Sequence, residues 1–379
     1  MSTWPTVALA EVAAIERTSV QPEDIEAGTT YVGLENVESG GTFLGAGPID
    51  AGVLGSSKFR FTEKHVLYGK LRPYLAKIAC PDFNGICSTD ILPILPGPKV
   101  ERRYLFHFLR QPSMVNYASS RAVGVNLPRL SPSVLETFLV PLPPLPEQRR
   151  IAQVLDRAEA LRAKRRAVVA QLDALAQSIF LDLFGDPATN PKGWPRVSIE
   201  SVAGIIVPTR DKPKYFRGTI PWVTLPDLDG LFISRAKNLL TVEDAEEVGN
   251  RLIPSNSVLL SCAGTLGKIA ITTTHVYANQ QFYGLVPQGD KLDTTFFALC
   301  LLLRGETFFS KLGGSFTIGF FSKQKALDIQ IPLPPVSLQR EFAGRVTALE
   351  KLRSAYREAS VELDALFASL QYHAFRGEL

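Results

Sequence analysis

At 379 residues, with 45% hydrophobic and 21% charged side chains, the chain is too long for one compact core and too apolar for global disorder; two or three ordinary domains are expected. A net charge of +4 and a pI near 8.8 permit a nucleic-acid partner without demanding one. The four cysteines, Cys80, Cys87, Cys262 and Cys300, show neither CxxC pairing nor a neighbouring histidine pair, which argues against a zinc site or a disulfide framework and fits a reducing cytoplasm. The longest apolar run, FFALCLLL from Phe296, falls far short of the roughly 20 residues that cross a bilayer, and MSTWPTVALAEV has no basic region ahead of an apolar core, so neither export nor insertion is expected.

The first stretch of the chain reads as short strands and turns, in TTYVGLENV and then HVLYGKLRPYLAKIA. Between Ser56 and Ala79, Lys58, Arg60, Lys64, Lys70, Arg72 and Lys77 face the single acid Glu63, with Phe59, Phe61, Tyr68 and Tyr74 interleaved. Such a segment is ordinarily a solvated face. RRYLFHFLRQPSMVNYA reads as helix, and the domain closes on the proline-rich phrase VPLPPLPEQRR at Val140 to Arg150.

After the prolines, apolar residues follow alternate steps of three and four at Ile151, Val154, Ala158, Leu161, Val168, Leu172, Leu175 and Ile179, with Arg165 inside the seam. Sustained heptads of this kind predict a coiled-coil helix from about Pro146 to Leu183, on the order of 55 Å long. The prolines hold its entry extended, and Pro146 and Glu147 suit a first helical turn. A PxxP ligand would instead sit in a disordered tail. GDPATNPKG from Gly185 to Gly193 then reads as a turn.

Beyond this turn the chain repeats itself. WPTVALAEVA from Trp4 is echoed by WPRVSIESVA from Trp194, and VPLPPLPEQRR by IPLPPVSLQRE from Ile331, 191 residues on. Without a gap the second alignment pairs Gln148 with Gln339, Leu161-Arg162 with Leu352-Arg353, and one LDAL with another. The second half offers its own basic stretch, RDKPKYFR at Arg210 to Arg217, strands in SVLLSCAGTLGKIAIT and QQFYGLVP, and a helix in TTFFALCLLLRGETFFSKL. Two basic stretches in matching halves tilt the reading toward phosphate contact.

A second heptad seam at Phe342, Leu349, Leu352, Tyr356, Ala359, Leu363, Leu366 and Leu370, interrupted by Arg345, gives the first helix a partner. The expected fold is α+β: two tandem, pseudo-twofold related globular domains of mixed α/β character, separated by two long helices in an antiparallel coiled coil. The boundaries are 1–145 and 187–336 for the domains and 146–186 and 337–379 for the spacer helices.

Catalytic patterns are poor. GTLGKI at Gly264 lacks the GxxxxGK[ST] spacing and reads as a tight turn. His65, His107, His275 and His373 have no metal or triad spacing, and neither an NPPY-like methylation motif nor a glycine-rich cofactor loop occurs. Asp227 and Asp229 lack the ExK that would complete a nuclease pair.

In order, YGKLRPYLAKIA, GICSTDILPI and GVNLPRLSPSVLETFLVPLPPLPEQRRIA, then AGTLGKIAI, ANQQF and GGSFTIGFFSKQKALDIQIPLPP, resemble the specificity (S, HsdS) subunits of type I restriction-modification systems across the whole chain. The chain departs from that pattern where Leu338-Gln339 replaces Glu-Gln. The resemblance implies two target recognition domains, each reading one half of a split, asymmetric DNA target, on helices that set the unread gap. It implies docking of two DNA adenine methyltransferase subunits, with restriction subunits joining them. S-adenosylmethionine would sit in the partner, and this chain would bind no cofactor or metal and catalyse nothing.

The expected DNA contacts are Lys70, Arg72, Tyr74, Lys77, Asn126 and Arg129 in the first half. In the second they are Arg210, Lys212, Lys214, Arg217, Thr265, Lys268, Gln280, Gln281 and Lys323. These residue types suit phosphates and major-groove edges; for Tyr74, Thr265 and Gln280 a turn-stabilising role is an equal alternative. The competing functional class is a coiled-coil assembly adaptor without DNA sequence readout.

Overall fold

The computed structural model describes residues 4–314 and 319–378, so Ser315 to Ile318 of the phrase from Gly313 lie outside the described residues. The chain forms two compact units, Met1–Arg166 with Glu358–Leu379, and Ala167–Arg357.

In the first unit, Ala13–Ile15, Ile91–Pro96, Val66–Gly69 and Ile78–Ala79 form an antiparallel sheet in that order. A five-stranded sheet follows the order Ser19–Val20, Lys58–Phe61, Gly85–Cys87, Thr29–Val32, Gly47–Ile49, with one parallel pair between Thr29–Val32 and Gly85–Cys87. The second unit has a five-stranded sheet, in which Ala203–Ile206, Phe282–Pro287, Val258–Ser261 and Ile269–Thr272 reproduce the order and antiparallel sense of the first unit's four, with Phe232–Ile233 added. Ile220–Val223 pairs there with Asn238–Leu240 and, in parallel, with Tyr277–Ala278.

The proline phrase has three successive jobs. Its first residues are a strand: Leu139–Pro141 pairs with Thr6–Ala8, and Gln330–Pro332 with Arg196–Ser198. The prolines then turn the chain into two long helices, Leu145–Phe184 and Val336–Ala374. Finally, the fully buried Gln148 accepts from the Glu101 backbone N–H at 2.8 Å and donates Nε2 to the carbonyls of Lys99 and Pro143 at 3.0 and 2.8 Å. Gln339 does the same with Asp293 N–H at 2.8 Å and the carbonyls of Lys291 and Pro334 at 3.2 and 2.7 Å. Each amide uses its acceptor and both donors, leaving no buried polar atom unpaired. Glu101 and Asp293 in turn cap the helices Arg102–Leu109 and Thr294–Leu302 through their side chains, so one glutamine ties each spacer helix to a domain helix.

Both long helices contribute to each core. In the first unit, Ile151, Ala152 and Leu155 join Phe367, Ala374 and Phe375 around Tyr104 and Phe108. In the second, Phe180 and Phe184 pack on Phe342 and Phe296, with ring centroids 4.7–5.5 Å apart. Leu172 and Leu349 line one cavity farther along the same pair, so these segments run antiparallel. The units therefore divide both helices near their middles rather than at the expected boundaries of 146–186 and 337–379, because each core needs a segment of each helix.

The seam differs from the expected one at alternate positions. Ile151, Leu172, Ile179, Phe342, Leu349, Leu363 and Leu370 are buried or half-buried, as are Val154 and Val168. Leu161, Leu175, Leu352 and Leu366 are instead exposed, at 58, 44, 46 and 63%. The most buried neighbours lie one residue on, at Leu155, Val346, Arg353 and Phe367, so the steps run four then three. Both phases share every seventh position, and apolar identity alone does not choose between Val154 and Leu155 or Val168 and Val169. Arginine stems complete the seam: Arg162 lies over the Phe367 ring and pairs with Asp364, while Arg353 pairs with Glu350 at 2.8 Å. Arg345 does not interrupt it, being exposed and paired with Glu341 at 2.7 Å.

The first long helix contains an 18-residue window apolar enough, by length and composition, to cross a membrane. Its last turns bury Phe180 and Phe184 in a globular core.

Candidate nucleic-acid interface

Each unit builds the same three-loop cluster. In the first, Lys70 N–H donates to the Asp90 carbonyl (2.9 Å), Leu130 N–H to the Lys70 carbonyl (2.9 Å) and Arg72 N–H to the Pro128 carbonyl (2.7 Å). In the second, Cys262 N–H donates to Gln281 (2.8 Å), Phe321 N–H to Cys262 (3.1 Å) and Gly264 N–H to Gly319 (3.2 Å). Isolated bridges Leu71–Arg129 and Ala263–Phe320 complete the correspondence.

At both ends of the first loop the backbone turns left-handed. The second unit uses glycine, Gly264 and Gly267 at φ +75° and +76°. The first unit holds Arg72 and Ala76 there at φ +51° and +48°, around the single turn Pro73–Leu75 that displays Tyr74. Strain of this kind persists where the surroundings impose it, here the hydrogen bond from Arg72 to Pro128. GTLGKI is accordingly a tight turn, with Lys268 N–H donating to Ser261 Oγ at 2.8 Å.

The side chains on this shared lattice differ. In the first unit Arg72, Tyr74, Asn126 and Arg129 are exposed around it, and Lys70 is half-buried. Lys77 points inward, its ammonium donating to the Leu34 carbonyl at 2.6 Å, and is not available to DNA in this arrangement. In the second unit Arg210, Gln280, Gln281 and Phe320 line one cavity of about 580 Å³, with Thr265 and Lys323 exposed. Gln281 is oriented by Asn279, whose Nδ2 donates to Gln281 Oε1 at 2.9 Å.

Lys212, Lys214 and Arg217 do not line this cavity. Lys214 pairs with Glu247 at 3.1 Å and Arg217 with Asp244 at 3.2 Å, while Lys212 lies over Phe216. Lys268 pairs with Glu306 at 3.1 Å. These partners neutralise part of the basic surplus seen in sequence.

Sequence reasoning missed Asp90 and the loop tip Val123, Val125 and Leu127. Asp90 accepts from Arg129 Nε at 3.0 Å, a pairing 39 residues apart that no local pattern reveals. Val125 is 99% exposed, and its placement on GVNLPRL was the available signal.

Behind the first cluster, the helix Arg102–Leu109 is fastened to the first long helix by ions. Asp156 takes His107 Nε2 at 2.7 Å together with Arg103, and Arg110 pairs with Glu159 at 2.8 Å. Burial alone would raise the Asp156 pKa, but hydrogen bonds from His107 and Arg103 outweigh it and hold the carboxyl at about 2. Burial also lowers the His107 pKa, and its buried Nδ1 has no hydrogen-bond partner, which suits the neutral ring. The second unit places Thr295 and Leu299, both buried, at the positions of Arg103 and His107.

Among the described residues, the candidate acids and thiols are engaged in other ways. Asp227 accepts from Thr224 and Lys237 backbone N–H at 2.8 and 2.9 Å, and Asp229 faces Arg357, so the two acids are occupied structurally. Burial pushes the thiols of Cys87, Cys262 and Cys300 up to about 12, far from nucleophile range. Among the described residues, no group of three His, Cys, Asp or Glu is arranged to hold a metal ion.

Known proteins share this organisation. The chain is 32% identical over 133 residues to the EcoDI type I restriction enzyme specificity subunit of Escherichia coli, covering 34% of this chain and 30% of that relative. To the putative MjaX specificity subunit of Methanocaldococcus jannaschii it is 23% identical over 324 residues, 80% of this chain and 73% of the relative. It thus spans under a third of one relative's length and nearly three quarters of the other's. The fold resembles that of the type I restriction-modification S subunit from M. genitalium, with TM-score 0.61, 14% identity and coverage of 99% and 96% of the two chains. A chain from a type I R-M system studied for complex assembly and conformational transition gives 0.57, 24% identity and coverage of 99% and 98%. Because a model of the type I restriction modification DNA specificity domain matches residues 1–171 and again 191–362, the chain belongs to that family and carries its domain twice.

Proposed function

We propose that this chain is the DNA sequence-specificity subunit of a type I restriction-modification complex, each unit reading one half of a split, asymmetric target. The observation that carries the reading is the three-loop lattice, built twice with the same backbone hydrogen bonds and different side chains. A shared scaffold with divergent Arg, Asn, Gln and aromatic groups is what reading two unlike sequences requires. Half-buried Lys70 and exposed Arg72, Arg210, Lys212 and Lys323 supply phosphate contacts.

The partners are two DNA adenine methyltransferase subunits, with restriction subunits able to join. Leucines 161, 175, 352 and 366, exposed off the helical seam, offer them apolar contact area. S-adenosylmethionine and the target adenine belong to those partners, and this chain contributes recognition without catalysis. A cytoplasmic site of action fits its four free cysteines.

Selection from random-sequence duplex DNA, using the chain complexed with its methyltransferase partner, tests this reading. Enrichment of two short motifs at fixed separation is expected at moderate salt. Retention of DNA with no sequence preference would instead support the assembly adaptor.

A further inference from the structure

We propose that Arg129, held by Asp90, reads a guanine in the half-site of the first unit; this rests on the DNA-reading function proposed above. Arg129 Nε donates to Asp90 Oδ1 at 3.0 Å and Nη2 to Oδ2 at 3.4 Å. That side-on pairing occupies one edge of the guanidinium. It leaves the end face, with parallel N–H bonds on Nη1 and Nη2, directed away from the carboxylate, and that fork matches guanine O6 and N7 in the major groove.

Both residues are fixed from behind. Arg129 exchanges two backbone hydrogen bonds with Val123, at 2.9 and 3.0 Å, and the Asp90 carbonyl accepts from Lys70 at 2.9 Å. The Arg129 side chain is nevertheless 46% exposed, and an exposed ion pair contributes little to folding.

Charge separates base from phosphate. Arg129 with Asp90 is a neutral unit, poorly suited to a phosphate and well suited to an uncharged base edge. Exposed Arg72 on the neighbouring loop, whose Nη2 donates to the Asn126 carbonyl at 3.5 Å and faces no carboxylate there, keeps its charge for the backbone. The second unit has Phe320 and Gln281 at the matching positions, so the same lattice lacks the fork there.

The test compares motifs selected from random duplexes by the methyltransferase complex carrying wild-type chain, Arg129→Ala, Arg129→Lys or Asp90→Ala. Arg129→Ala is expected to lose one guanine from one half-site, leaving the other half unchanged, with discrimination at that position falling roughly ten- to hundredfold. Arg129→Lys, which keeps charge without the fork, relaxes the same position. Asp90→Ala weakens the guanine preference and steepens salt dependence, as the released arginine turns to phosphate. With the wild-type complex, 7-deazaguanine at that position, which removes N7, weakens binding, so the inference stays testable should a variant not fold. A motif unchanged in Arg129→Ala, whether binding is uniformly weaker or intact, overturns the assignment, as does indifference to 7-deazaguanine at every guanine of that half. A wild-type complex that selects no motif at all defeats the DNA-reading function itself.

Discussion

Gln148 and Gln339 show how much one side chain can organise. Each is fully buried, and each makes three hydrogen bonds to backbone groups on two segments. Replacing either by alanine strands an N–H and two carbonyls, at about 1 kcal/mol each, so a loss of about 3 kcal/mol is expected in its own unit. Urea unfolding followed by probes in each unit measures it. Ala76 makes the opposite prediction: its φ of +48° suits glycine, and Ala76→Gly should raise the urea midpoint by about 1 kcal/mol equivalent. The glutamines were visible in sequence as a repeated pair, but their partners, Glu101 and Asp293, were not. A buried amide is specified by backbone geometry around it, which a repeat of side-chain letters does not describe. Asp90 escaped notice for the same reason, whereas Arg72 and Arg129 stood out because basic residues cluster along the chain.

At the scale of the helix, the heptads were legible while their phase was not. Where Leu161-Arg162 and Leu352-Arg353 stand side by side, apolar counting selects the leucine, yet the structure buries the arginine stem and exposes the leucine. Paired acids make this possible, Asp364 for Arg162 and Glu350 for Arg353. Phe367→Ala should therefore cost about 3–5 kcal/mol, while Leu366→Ala should stay within about 1 kcal/mol, as read from denaturation midpoints. The opposite ranking would restore the three-then-four seam. Helix Arg102–Leu109 carries a second prediction, through His107. Its folded pKa lies below the unfolded value of about 6.5, so the unfolded state takes up a proton first and stability falls as pH drops below about 6.5. Asp156, held at about 2, adds a further loss below about pH 4, where only the unfolded carboxyl protonates. Protection factors in 102–109, with exchange corrected for its intrinsic pH dependence, should fall between pH 7 and 5.5, and His107→Gln should flatten that dependence.

Across the whole molecule, duplication is the organising fact. Strand pairings, glutamine latches and loop lattices recur about 191 residues apart, while the side chains carried on the loop lattice differ. The two-domain α+β organisation was readable because repetition survives in turn and packing residues such as the proline phrases and LDAL. Placement of the reading groups was less so: Lys77, Lys214, Arg217 and Lys268 are basic in sequence but engaged by protein acceptors in the fold. The central claim is that this chain chooses the DNA sequence on which partner enzymes act. Its most direct test is adenine-methylation mapping across the genome of cells with and without the chain. The account predicts methylation at a bipartite, asymmetric sequence that disappears when the chain is absent; methylation at the same sites in its absence would contradict it.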